Sequence, residues 1–109
     1  MSGSKTFSQG GVEEMLKIAI CDDEGYFRKF IREILTGYIE RNGGIYEIDE
    51  FASGKEFVDL GIELIGYKIV FLDINMDDMD GMEAAQKIRE VSNDIFIVFV
   101  TAFVNYTIE

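Results

Sequence analysis

Four short apolar runs set the pattern of this chain: LKIAIC from Leu16, IYEIDEF from Ile45, KIVFLD from Lys68 and IFIVFVT from Ile95. Each has the length of a strand, and the segments between them carry helical spacing instead. In YFRKFIREILTGYI, Phe27, Phe30, Ile31, Ile34, Leu35 and Tyr38 recur at intervals of three and four, and Asn42-Gly43-Gly44 then stops the helix with residues that tolerate positive φ. The acids before this helix suit its positive end. Ser53-Gly54-Lys55-Glu56 is a capping box, with Phe57, Leu60 and Leu64 following on one face. Asp80-Gly81-Met82-Glu83 predicts the start of a third helix, with Met82, Ala85, Ile88 and Val91 turned inward. After Thr101, AFVNYTIE reads as the first turns of another helix. The order βαβαβαβ requires an α/β, doubly wound parallel sheet with helices on both faces. IYEIDEF, the most polar run, suits an edge.

Three of the four strands end on polar residues: Asp22 and Asp23, Asp73, and Thr101. Parallel strands point the same way, so these residues are expected at one rim, where ligands of such sheets bind. Carboxylates about 4 Å apart repel by roughly 4 kcal/mol at an effective dielectric near 20. A cluster of three therefore needs shifted pKa values or a cation. The chain has no histidine, and its one cysteine, Cys21, reads as a core filler at a strand end. Oxygen ligands alone favour Mg²⁺ over zinc or copper.

Composition narrows the function further. A formal net charge of -11 over 109 residues argues against direct nucleic-acid binding and favours a dication or a basic partner. Without histidine there are no His-ligated metals and no Ser-His chemistry. A lone cysteine fits a reducing compartment, and a cytoplasmic location is expected. The longest apolar stretch, IFIVFVTAFV, is too short to cross a bilayer. Residues 1–14, polar and rich in Gly and Ser, read as a flexible tail or expression remnant, leaving residues 15–109 as one domain. Asp73, Asn75 and Asp77 also open like an EF-hand loop, but Asp78 stands where that loop needs Gly and Ala84 where it needs Glu.

ICDDE at Ile20–Glu24, FLDINMDDMDG at Phe71–Gly81 and VFVTA at Val98–Ala102 together resemble the receiver domain of bacterial response regulators in two-component signalling. The VTAFVNYTIE ending is similar to regulators with a LytTR-type DNA-binding output domain. The resemblance implies a flavodoxin-like fold with strand order 2-1-3-4 here. It implies that Asp73 accepts a phosphoryl group from a partner histidine kinase. It further implies Mg²⁺ held by Asp23 and Asp73 directly, by Asp22 through water, and by the Asn75 backbone carbonyl. Thr101 would turn its hydroxyl toward the phosphoryl group, with Ala102 as the small neighbour leaving it room. Such a domain is a signalling phosphoacceptor, not a turnover enzyme.

Two departures from the family pattern stand out. Asp77 occupies a position usually held by Pro, and the chain contains no Pro. The chain also stops before the family's fifth strand, with its Lys and aromatic switch residue, and before its last helix. Lys17 and Lys68, at the starts of strands, are expected at the opposite rim and cannot replace that Lys. An impaired switch is expected, together with a fourth strand left as an edge, through which Ile95–Val100 would dimerise or swap. Two other classes compete with this reading. A Mg²⁺-dependent phosphohydrolase of haloacid dehalogenase type would also use Asp73 as nucleophile, but wants an acid where Asn75 stands. A flavodoxin-like binding module lacks its phosphate-loop glycines.

Overall fold

The computed structural model describes residues 15–76 and 79–100. Four parallel strands, β1 (Met15–Cys21), β2 (Ile45–Phe51), β3 (Ile69–Asp73) and β4 (Phe96–Val100), lie in the order β2-β1-β3-β4. The expected α/β architecture and strand order are both present. Strand order reverses about β1: the chain leaves β1 for β2 on one side, then returns past it to β3 on the other.

Helix α1 (Gly25–Asn42) covers one sheet face, burying Ile31 and Ile39 against Ile18, Ile20 and Ile48. The other face carries α2 (Gly54–Val58), a 3-10 segment (Gly61–Gly66) and α3 (Gly81–Val91). There Phe57, Leu64, Ala84 and Ile88 close over Ala19, Cys21, Val70 and Leu72. β1 is therefore buried from both sides, and its apolar run without alternation follows from that. β2 is an edge, as its polarity suggests.

The helix limits follow from local chemistry. Gly43 ends α1 at φ 81°, a conformation that costs glycine nothing. Ser53 Oγ accepts from the Glu56 N–H at 3.1 Å, and Glu56 Oε1 accepts from the Ala52 N–H at 3.1 Å. Ser53 thus caps α2, but the return bond reaches the Ala52 N–H and not that of Ser53, so the capping box is only half formed, and α2 runs only five residues before a turn at Gly61 (φ 63°). The acids before α1 do not cap it: Glu24 is the N-cap residue and makes no side-chain bond there.

Two helix faces differ from expectation. α1 turns Phe27, Ile31, Leu35 and Ile39 inward, while Phe30, Ile34 and Tyr38 stay exposed. α3 turns on Gly81, Ala84 and Ile88, with Ala85 and Val91 at the margin and Met82 exposed. The reason is the close approach of α3 to the β3 rim. A Cβ on Gly81 would stand 2.6 Å from the Asp73 carbonyl oxygen and 2.9 Å from the Ile74 Cα. Only glycine fits, so the helix is rotated to put Gly81 and Ala84 against the sheet.

Gly81→Ala should therefore destabilise the fold, against the usual helix-propensity trend. The expected loss is about 1–3 kcal/mol, read as a lower midpoint in urea unfolding. A midpoint equal to or above that of the parent would show that α3 can back away without cost.

Candidate functional site

The sheet register brings the acids together. Cys21 pairs with Leu72, so one step further along the strands Asp22 comes beside Asp73. Asp22, Asp23 and Asp73 each offer a carboxylate oxygen, and these atoms lie within 4.8 Å of one another. Asp22 is fully buried and Asp73 nearly so, whereas Asp23 faces solvent. Lys17, in β1, and Lys68, just before β3, belong to the opposite rim as expected.

The loop after β3 divides its polar groups among separate tasks. Asp73 Oδ1 accepts from the Asn75 N–H at 3.2 Å, which turns the chain back over the carboxylate. Met76 then drops into the core, and Gly81 N–H closes the loop onto the Ile74 carbonyl at 2.9 Å. Asp80 caps α3 through the Glu83 N–H at 2.8 Å. So one acid of this run joins the cluster and another serves a helix. Asp77 and Asp78 lie outside the described residues, as do Thr101 and Ala102.

The other limb is built by β1. Asp22 Oδ1 accepts from the Glu24 N–H at 2.8 Å, while its Oδ2 is buried with no hydrogen-bond partner among the described residues. A buried carboxylate oxygen without a partner is costly. Burial, foremost, and the charges of Asp73, Asp23 and Glu24 push the Asp22 carboxyl up to about 6, against the pull of the Glu24 N–H. Asp73 is raised in the same way, by burial first and by the Asp23 charge, with the Asn75 N–H opposing. Both groups hold a proton more tightly than an ordinary carboxyl, and a positive charge entering the rim would favour their ionised forms. The donor set is all oxygen, and one of its oxygens is orphaned, so the residues present fit a hard dication such as Mg²⁺. Cys21, directly before Asp22, contributes nothing reactive: burial and then the charges of Glu56 and Asp22 push its thiol far above the usual range.

One cation near these acids carries no motif and escapes a reading of the sequence. Arg28 donates from Nη1 to the Asp22 backbone carbonyl at 2.6 Å. Its only trace in the sequence is a pair of arginines one helical turn apart, Arg28 and Arg32, directly after the acids.

This fold has known counterparts. The profile of the response regulator receiver domain matches residues 18–108. The chain belongs to the response regulator receiver family. This receiver is 33% identical over 94 residues to the transcriptional regulatory protein LytR of Staphylococcus aureus, covering 86% of the chain and 36% of LytR. It is 30% identical over 91 residues to LiaR of Bacillus subtilis, covering 84% of the chain and 41% of LiaR. The receiver thus spans well under half the length of these curated relatives. Among solved structures, a chain in the CheX-CheY-BeF3-Mg+2 complex of Borrelia burgdorferi superimposes with a TM-score of 0.67 at 26% identity, over 84% of this chain and 65% of that one. Among the described residues of the receiver, no helix is long and apolar enough to cross a membrane.

The raised carboxyl of Asp22 makes a signed prediction. Between about pH 4 and 6 the folded protein keeps a proton on Asp22 that the unfolded chain releases. Stability should therefore fall as pH rises through that window, by up to ~3 kcal/mol from this group. Glu50, lowered chiefly by its bond to Arg32, acts in the opposite sense, and only up to its ordinary value of 4.5, at the foot of that window. Thermal unfolding should show a drop in Tm from pH 4 to 6.5 that is smaller in Asp22→Asn. Added Mg²⁺ should restore Tm at pH 7.5 and do little at pH 4.5. Equal pH slopes in the two proteins would contradict this account of the site.

Proposed function

We propose that this receiver takes a phosphoryl group on Asp73 from a partner histidine kinase, with Mg²⁺ held directly by Asp23 and Asp73 and through water by Asp22. The observation that carries the reading is the set of three carboxylates with oxygens within 4.8 Å, one of those oxygens buried and unpartnered. Asp73 supplies the nucleophile. Its carboxylate oxygen forms a bond to phosphorus as the bond from phosphorus to the donor nitrogen breaks, and that nitrogen keeps the electron pair. Mg²⁺, when bound, supplies the neutralisation of charge that brings phosphoryl oxygens and carboxylates together. The chain holds the geometry: the Asn75 N–H fixes one Asp73 oxygen, leaving the other for attack. The Asn75 backbone carbonyl is the proposed fourth protein ligand. The Thr101 hydroxyl and the space beside Ala102 are the proposed phosphoryl contacts.

The partners follow from this reading: a kinase that presents phosphohistidine, since the chain has no histidine of its own, and an output domain of LytTR type beyond residue 109. Membership of the receiver family and Asn75 in place of a second acid both weigh against the phosphohydrolase alternative. The proposed setting is the cytoplasm.

Incubation with Mg²⁺ and acetyl phosphate should add one phosphate to the intact mass. The adduct should be lost at alkaline pH and absent in Asp73→Asn. Steady release of phosphate from many small esters, with no adduct, would return the phosphohydrolase.

A second copy is the proposed partner of β4. Its run is uncharged, and Phe96, Val98 and Phe99 are exposed along it. Among the described residues β3 is its one sheet neighbour, and such an edge is a template for another strand. Sedimentation should show dimer forming with rising concentration, and Val98→Lys should return it to monomer. A parent protein that stays monomeric at high concentration removes this contact.

A further inference from the structure

We infer that Arg28 is a positioning residue for the cation site, acting through a link of Arg28, Glu50 and Arg32 that fixes the Asp22–Asp23 limb. The inference rests on the proposed dication site and assigns it a support that no motif marks. The Arg28 fork makes two bonds in different directions: Nε to Glu50 Oε1 at 3.1 Å, and Nη1 to the Asp22 carbonyl at 2.6 Å. Arg32 holds the other Glu50 oxygen at 2.5 Å and also donates from Nη2 to the Ile48 carbonyl at 3.0 Å. Glu50 is thus gripped from both sides, at the C-terminal end of β2.

This link determines where Asp23 stands. The Asp22 carbonyl belongs to the peptide plane that leads into Asp23, so holding that oxygen sets the direction in which the Asp23 side chain departs. The opposite face of Asp22 is tied to the same strand, because its N–H donates to the Phe51 carbonyl at 3.1 Å. Both backbone groups of Asp22 are therefore referred to the end of β2. The Arg28 guanidinium also lies over Gly25, where a Cβ would stand 3.4 Å from its Nη2. The turn from Asp22 to Gly25 has the side chain folded along it.

Charge alone predicts the reverse of positioning. A guanidinium beside a dication site repels the metal, so its removal should tighten binding if electrostatics governed. Positioning predicts weaker binding, since supports outside the ligand shell commonly contribute tenfold or more in metal affinity. Lysine separates the two further: it keeps the charge and lacks the planar fork.

Mn²⁺ affinity, read by electron paramagnetic resonance of the free ion, tests the link. Arg28→Gln should raise the Mn²⁺ Kd about tenfold, and Arg28→Lys nearly as much. Glu50→Gln should do the same, and the Arg28→Gln/Glu50→Gln double variant should add little. An unchanged or lower Kd in Arg28→Gln, full affinity in Arg28→Lys, or additive rises in the double variant would each overturn the inference while leaving the site intact. A fall in the urea midpoint with Kd unchanged overturns it too. Should the parent bind no Mn²⁺, the proposed site fails, and hydrogen exchange at the Glu24 amide decides the link independently. At least tenfold faster exchange in Arg28→Gln upholds it, and equal rates refute it.

Discussion

Holding ionised Asp22 and Asp73 together in a buried rim is costly, and much of the structure around them follows from that conflict. Desolvation and mutual repulsion both favour the neutral carboxyl. The fold answers with backbone hydrogen bonds, chiefly the Glu24 N–H to Asp22 and the Asn75 N–H to Asp73, which orient each carboxylate. Fully capped carboxylates would be more stable and would have no capacity left for a ligand. The rim is short of positive charge, which is why its residues fit a dication.

Each half of that rim is supported in its own way. The β1 half is held by hydrogen bonds that lead to β2, through the Phe51 carbonyl and through Glu50. The β3 half is held by steric closeness: Gly81 presses on the Asp73 and Ile74 backbone, and Met76 is buried beneath. Hydrogen bonds set direction at the half where Asp23 is exposed and has to be aimed. Packing sets distance at the half where Asp73 is buried. The crossing of α3 over the rim is a consequence of the second, and it accounts for the exposure of Met82.

The fold was legible in the sequence because buried parallel strands and their helices leave coarse signals, namely runs of Val, Ile and Leu ended by acids and glycines. The convergence of Asp22, Asp23 and Asp73 was legible for the same reason, since it needs only strand direction and the positions of strand ends. Finer features were not. The inner face of α1 is broad enough in the sequence to include Phe30, Ile34 and Tyr38, and a single sheet cannot cover them all; which residues lose depends on a rotation that spacing does not fix. The face of α3 was misplaced because the decisive contact is backbone against backbone at Gly81, where there is no side chain to read. Arg28 was hidden because its partner is a carbonyl, an acceptor that every residue carries.

The same contrast between the two halves bears on how such a site could send a signal. The Asp22–Asp23 limb is anchored on both of its backbone groups to β2 and offers little freedom. The Asp73 limb has a different neighbour: the Ile74 N–H donates to the Val100 carbonyl at 3.1 Å, the last position of β4. Asp73 is also paired with Val100 in the sheet register. A change of charge at Asp73 therefore has a rigid wall on one side and, on the other, a strand end one residue from Thr101. β4 carries no second described neighbour to hold it and exposes much of its apolar surface. Under the proposed phosphorylation of Asp73, the pairing with Val100 and the Ile74 bond make the end of β4 the direct route by which a displacement would leave the rim.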